Sequence, residues 1–183
     1  MSQPSPIYLR IIRVIDAIIR WTGGLTALLL IPLLLANSIE VFMRYVLNRP
    51  TDWAMDTTIM SYGALFMLGA AYALQKGAHV RTDMLWEKFS VRKKGVIDTI
   101  AYLVFFLPAM AVLLYVSFGE FTDSWSIDER SGLTLWRPVI WPLRAVVPLA
   151  VLLLLIQGVS ELLKSLWAAR TGQELVHHEK VEI

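Results

Sequence analysis

The sequence predicts an all-α integral membrane protein with four transmembrane helices and short amphipathic helices at the interface. Three observations carry that expectation. The 183 residues are 56% hydrophobic. Only 17% are charged, against about 25% in an ordinary soluble domain. The apolar residues fall into four long runs without strand-like alternation, each near the roughly 20 residues that a helix needs to cross the hydrocarbon core. Backbone polar groups cannot stay unpaired in lipid, so such runs must be helical.

The first span is expected at about 21–43; Trp21 to Ile39 carries no charge. Before it, Ile7, Ile11, Val14, Ile15 and Ile18 recur at helical spacing opposite Arg10, Arg13 and Arg20. Residues 7–20 therefore read as an amphipathic helix, either in the membrane interface or extending the span. The apolar run is long for a signal peptide and lacks a clear small-residue cleavage site, so an uncleaved span is expected. The second span, about 54–75, contains Gly63, Gly69, Ala70 and Ala71, which permit close helix approach. A second amphipathic segment is expected at about 84–94, where Leu85, Trp86 and Phe89 oppose Glu87, Lys88 and Arg92. The third span is expected at about 98–119. The fourth, about 138–162, has Arg144 as its one charge before Glu161. Pro32, Pro108, Pro142 and Pro148 lie in or near spans, where proline is tolerated with a kink. A polar tail, 170–183, completes a single membrane domain.

Lys and Arg favour the cytoplasmic side. Twelve lie before the first span, between the second and third, and after the fourth; four (Arg44, Arg49, Arg130, Arg137) lie in the other two loops. Both termini are thus expected in the cytoplasm. The same asymmetry accounts for the basic 76–98 loop without nucleic acid.

The chain offers little for catalysis. It has no cysteine, which excludes disulfides, thiolate metal sites and thiol redox chemistry. His79 stands alone in a basic loop, and His177 and His178 lie in a polar tail, so no metal site or cofactor is expected. The span centres lack the ionisable groups that transport sites need. The charges of the membrane region are Glu40, Asp56 and Arg144, all near the outer boundary. Glu40 and Arg44 have the i,i+4 spacing of a helical ion pair. Arg144 is expected to pair with Asp56 or Glu40, to snorkel to the headgroups, or to meet an acid on a partner. Trp53, Trp86, Trp125, Trp136 and Trp141 suit interfacial anchoring. Arg49, Asp52, Asp128, Glu129 and Arg130, in the two outer loops, are candidates for docking a protein partner.

Three segments carry a family resemblance: RYVLNRPTDWAMD at 44–56, GALFMLGAAYALQKGAHVRTD at 63–83 and LWRPVIWPLRAVVP at 135–148. Each motif is loose; their order, the four spans and the length are together more specific. The chain resembles, over nearly its whole length, the small membrane subunit of tripartite ATP-independent periplasmic (TRAP) transporters, the DctQ-like small permeases. It is most similar to the branch named for mannitol and chloroaromatic compounds. The family's acidic residue after the tryptophan corresponds to Asp56, a mild variation. The resemblance implies a non-catalytic subunit bracing a large permease, which itself holds the substrate and sodium sites. It implies a periplasmic substrate-binding protein as a further partner, membrane lipids around the complex, no nucleic acid, and sodium-driven uptake of organic acids at a bacterial inner membrane. An independent four-span transporter and an assembly subunit of an unrelated complex are the alternatives.

Overall fold

In the computed structural model, residues 6–77, 89–173 and 175 are described. The helices are α1 (Pro6–Ala27), α2 (Leu30–Tyr45), α3 (Ala54–Gln75), α4 (Val91–Ile100), a π-helical turn (Ala101–Phe106), α5 (Leu107–Ser126) and α6 (Trp141–Thr171). Among the described residues there is no strand, only an isolated bridge between Arg130 and Val139. Among the described residues, four helical stretches are long and apolar enough to cross a membrane: Pro6–Tyr45, Ala54–Gln75, Val91–Ser126 and Trp141–Thr171.

These helices outrun the expected spans. Residues 7–20 do not form a separate short helix; they are the first part of α1. The helical pattern of Ile12, Ile15 and Ile19 simply continues into the span, and nothing between Arg20 and Trp21 breaks the backbone ladder. Residues 84–88, with Trp86, lie outside the described residues, and α4 takes up the rest of that amphipathic segment from Val91.

Two prolines explain two irregularities. Pro32 has no N–H for the Leu28 carbonyl. Around it the bonds tighten to i→i−3 at Leu28, Leu29 and Ile31, which separates α1 from α2. Pro108 likewise cannot donate to Val104. Just before it the ladder widens, and the Leu107 N–H reaches Tyr102.

The chain packs as two compact units, one of Met1–Arg20, Ala71–Val112 and Leu152–Ile183, the other of Trp21–Ala70 and Leu113–Val151. In the first, Ile12 and Ile19 are buried on one face of α1. Gly95 of α4 lies so close to α6 that an added Cβ would stand 2.4 Å from the Ala169 nitrogen. Glycine is required there by backbone approach, not by its own dihedrals. In the second unit Ala36, Ala54, Ala64 and Ala150 are buried, and Gly63 faces Leu143. Small residues at these positions allow the helices to pack closely.

Candidate functional site

Among the described residues, two clusters of paired charges stand out, one in each unit. The loop cluster belongs to the unit of Trp21–Ala70 and Leu113–Val151. Its placement begins with how α5 stops. Asp128 is in the left-handed region (φ 47°). Its N–H bonds the Trp125 carbonyl and that of Glu129 bonds Ser124. This is the Schellman pattern, with Asp in the position that glycine usually takes. The chain then reverses, and the Ile140 N–H bonds the Glu129 carbonyl while that of Ser131 bonds Pro138. The turn holds Glu129 beside the start of α6.

Arg144 lies on the first turn of α6 and reaches both acids that this turn positions. Nη1 donates to Glu120 Oε2 at 2.6 Å and Nη2 to Glu129 Oε1 at 2.8 Å. The sequence expectation of Asp56 or Glu40 as its partner is therefore corrected. Glu120 sits on α5, which is joined to α6 through the reversal at Asp128, whereas Asp56 and Glu40 are already occupied. The hydroxyl of Ser124 and then the Arg144 guanidinium hold the Glu129 carboxyl below its usual range.

Asp56 is 2% exposed and accepts hydrogen bonds from the hydroxyls of Ser131 and Thr134. It pins the 127–140 loop to the N-terminal turn of α3, where a carboxylate also faces the favourable end of the helix dipole. Glu40 joins Arg44 through Oε1, at 2.8 Å from Nε. Its Oε2 accepts the backbone N–H of Thr51 at 2.9 Å and the Thr51 hydroxyl. One carboxylate thus fixes both the end of α2 and the loop that follows.

Of the proposed docking residues, Asp128 and Arg130 pair with each other at 2.9 Å and are exposed. Arg49 and Asp52 are exposed, and Glu129 is half-buried against Arg144. Asp52 also lines an open groove of about 660 Å³ with Arg44, Thr51, Met55, residues 132–135 and Arg137. Trp125 and Trp141 meet edge to face at 4.3 Å, Trp53 is half-buried, and Trp136 is exposed.

The second cluster belongs to the unit of Met1–Arg20, Ala71–Val112 and Leu152–Ile183. Lys164 Nζ stands 2.9 Å from Asp16 Oδ2 and 2.9 Å from Glu161 Oε1. Gln157 donates to Glu161 at 2.8 Å, and Ser160 donates to Asp16 at 2.9 Å. Gln75 Nε2 donates to the Asp16 carbonyl at 2.7 Å, so α3 joins as well. Gln157 and Ser160 are fully buried, and Glu161 and Lys164 nearly so. Sequence reasoning counted Lys164 only as a topogenic charge and gave Asp16 no role. A signal was available: Asp16 lies four residues after Ile12 and three before Ile19, on the apolar face. A carboxylate there needs a buried partner.

Among the described residues, no group of three or more His, Cys, Asp or Glu could hold a metal ion. The charged clusters described above close on themselves.

Residues 33–167 match the family described as tripartite ATP-independent periplasmic transporters, DctQ component. The chain belongs to the DctQ family. A curated relative of this DctQ chain is the sialic acid TRAP transporter permease protein SiaT of Haemophilus influenzae, 25% identical over 123 residues. The match takes in 66% of the chain and 19% of that permease, so the DctQ chain spans about a fifth of the relative's length. No solved structure matches. The DctQ chain is a multi-pass membrane protein of a transporter family.

Proposed function

We propose that this DctQ protein is the scaffold small permease of a sodium-coupled, binding-protein-dependent importer. Its cargo would be organic acids or related small solutes. It works with a large permease, which carries the solute and sodium sites, and with a periplasmic substrate-binding protein. It sits in a bacterial inner membrane with both termini in the cytoplasm. The name of the curated relative specifies sialic acid, a carboxylated solute, which supports the organic-acid class. The relative's much greater length fits a small permease joined there to a larger one.

The observation that carries the scaffold role is the closure of the charges. Asp56 is used by two hydroxyls, Arg144 by two carboxylates, and Lys164 by two more. A solute or ion path needs polar groups free to exchange partners. Groups tied to one another within the chain instead stiffen a support. The exposed charges of the outer loops, Arg49, Asp52, Asp128 and Arg130, with Glu129 behind them, would contribute to the surface that meets the binding protein.

The test is purification in mild detergent followed by reconstitution. The chain is expected to bring a large permease with it. Uptake is expected only when permease, binding protein and a sodium gradient are all present. Saturable uptake by the pure chain alone would overturn the scaffold reading in favour of an independent transporter.

A further inference from the structure

We propose that the open groove at the start of α4, between Phe89 and Ile97, holds the headgroup of an anionic phospholipid, whose acyl chains lie along the helix beyond it. The proposal goes beyond the scaffold function and needs only that α4 leads into a membrane span.

Two kinds of side chain line this one groove. Its volume is about 450 Å³, and Phe89, Ser90, Arg92, Lys93, Val96 and Ile97 form it. The two cations therefore share a wall with an aromatic ring and two aliphatic side chains. Another side of α4 is occupied: Gly95 is pressed against the α6 backbone at Ser165, Ala168 and Ala169. Val96, Ile97 and Ile100 are 44%, 42% and 52% exposed. Ile100 follows the other two by four and three residues, so it continues their face of the helix. In the most apolar part of the Val91–Ser126 stretch, no residue is buried within the chain.

The charge in the groove is positive and uncompensated. Arg92 donates through Nε to the Ala169 carbonyl at 3.1 Å, a neutral acceptor that leaves its charge in place. Lys93 is exposed. Among the described residues neither takes part in an ion pair. Asp98 is the one acid of α4. At about 100° per residue it lies about 120–140° round the helix from Arg92 and Lys93.

Depth decides the occupant. The charge-free run of this span starts at Thr99, after Asp98. Val96 lies three residues before Thr99 and Lys93 six, or about 5 and 9 Å along a helix rising about 1.5 Å per residue. The headgroup layer is about 5–8 Å thick on each side of the hydrocarbon. The aliphatic side chains thus stand at the edge of the hydrocarbon, and the cations at the level of the phosphates. A phospholipid presents its groups in that same order, phosphate first and aliphatic chains beyond. Two cations without a carboxylate select a headgroup with net negative charge over a zwitterionic one.

The experiment uses the full chain in mild detergent, with any permease that purifies with it. Native mass spectrometry follows its binding of phosphatidylglycerol and of phosphatidylcholine with the same acyl chains, and glycerol phosphate serves as a competitor without chains. The wild type is expected to hold phosphatidylglycerol more tightly than phosphatidylcholine. A basic side chain near an anionic lipid surface contributes about fivefold in binding, so Lys93→Gln should reduce the preference by about that factor and R92Q/K93Q by about thirtyfold. Arg20→Gln, exposed and outside the groove, should leave it unchanged. Arg92 also holds the Ala169 carbonyl, so if the double variant unfolds at a lower temperature, Lys93→Gln alone carries the comparison. In membranes, a photo-crosslinking phenylalanine analogue at Val96 should form adducts with lipid. Equal binding of the two lipids by the wild type overturns the proposal, as does displacement of phosphatidylglycerol by glycerol phosphate. So does a Lys93→Gln chain that behaves as Arg20→Gln does, or a Val96 adduct to the large permease in place of lipid. The scaffold function is read separately, from co-purification and uptake, and stands or falls on those.

Discussion

Replacing Lys164 by methionine should be among the most damaging single changes in this protein. The buried cluster has two carboxylates, Asp16 and Glu161, and one ammonium, 2.9 Å from each. Lys164 is 9% exposed and Glu161 5%, so water can do little to replace the lost cation. Removing one partner of such a buried pair costs about 3–5 kcal/mol, because the remaining charge is left without compensation. Here two carboxylates would be left, close enough to have shared one ammonium, and their mutual repulsion adds to the cost. Asp16→Asn makes the informative contrast. It removes one of two acids, leaves Lys164 paired with Glu161, and keeps an oxygen that can accept from Ser160. The loss is then that of a charged hydrogen bond, about 1.5–3 kcal/mol. The assay is thermal unfolding in detergent, with the two variants and their double mutant compared at one pH and salt. Lys164→Met is expected to unfold at the lower temperature, and adding Asp16→Asn to it should recover part of the loss. The reasoning fails if Asp16→Asn is the more harmful change, or if the double mutant is worse than Lys164→Met.

Three further outcomes are expected. Because Glu129 has its carboxyl pKa lowered in the fold, its contribution to stability is complete above the unfolded value of about 4.3 and fades as pH falls through the lower folded value. Arg144→Ala should weaken that acid-side dependence in a pH series of unfolding temperatures, and Glu129→Gln should add little to Arg144→Ala in a double-mutant cycle. Asp56→Ala leaves the hydroxyls of Ser131 and Thr134 without their acceptor, at a cost of about 1.5–3 kcal/mol per bond; limited proteolysis should show faster cleavage between 127 and 140. Gly95→Ala should lower the unfolding temperature well beyond Gly119→Ala, because the first Cβ meets α6 backbone at 2.4 Å and the second meets nothing within 4 Å.

The four long helices were legible because their signal is a sum over some 20 residues, and no local irregularity can cancel it. The Glu40–Arg44 spacing was legible for a related reason: i,i+4 neighbours share a helix face wherever the helix goes. Helix ends were less legible. α1 begins at Pro6 and α6 runs to Thr171, since a helix stops where capping and packing stop it and not where the apolar run ends. The Trp125–Trp141 contact joins two residues that looked like independent interface anchors.

The sequence by itself determined the membrane class, the number of spans and the absence of cysteine chemistry, and its motifs pointed to the family. Each of these depends on composition, local period or order along the chain. Only the tertiary structure decided which charges meet. Arg144 pairs with Glu120 and Glu129 because a left-handed Asp128 turns the chain back there, and Asp16 pairs with Lys164 across 148 residues. Ion pairing acts over a few ångströms in space, and separation along the sequence does not report that distance until the helices have packed.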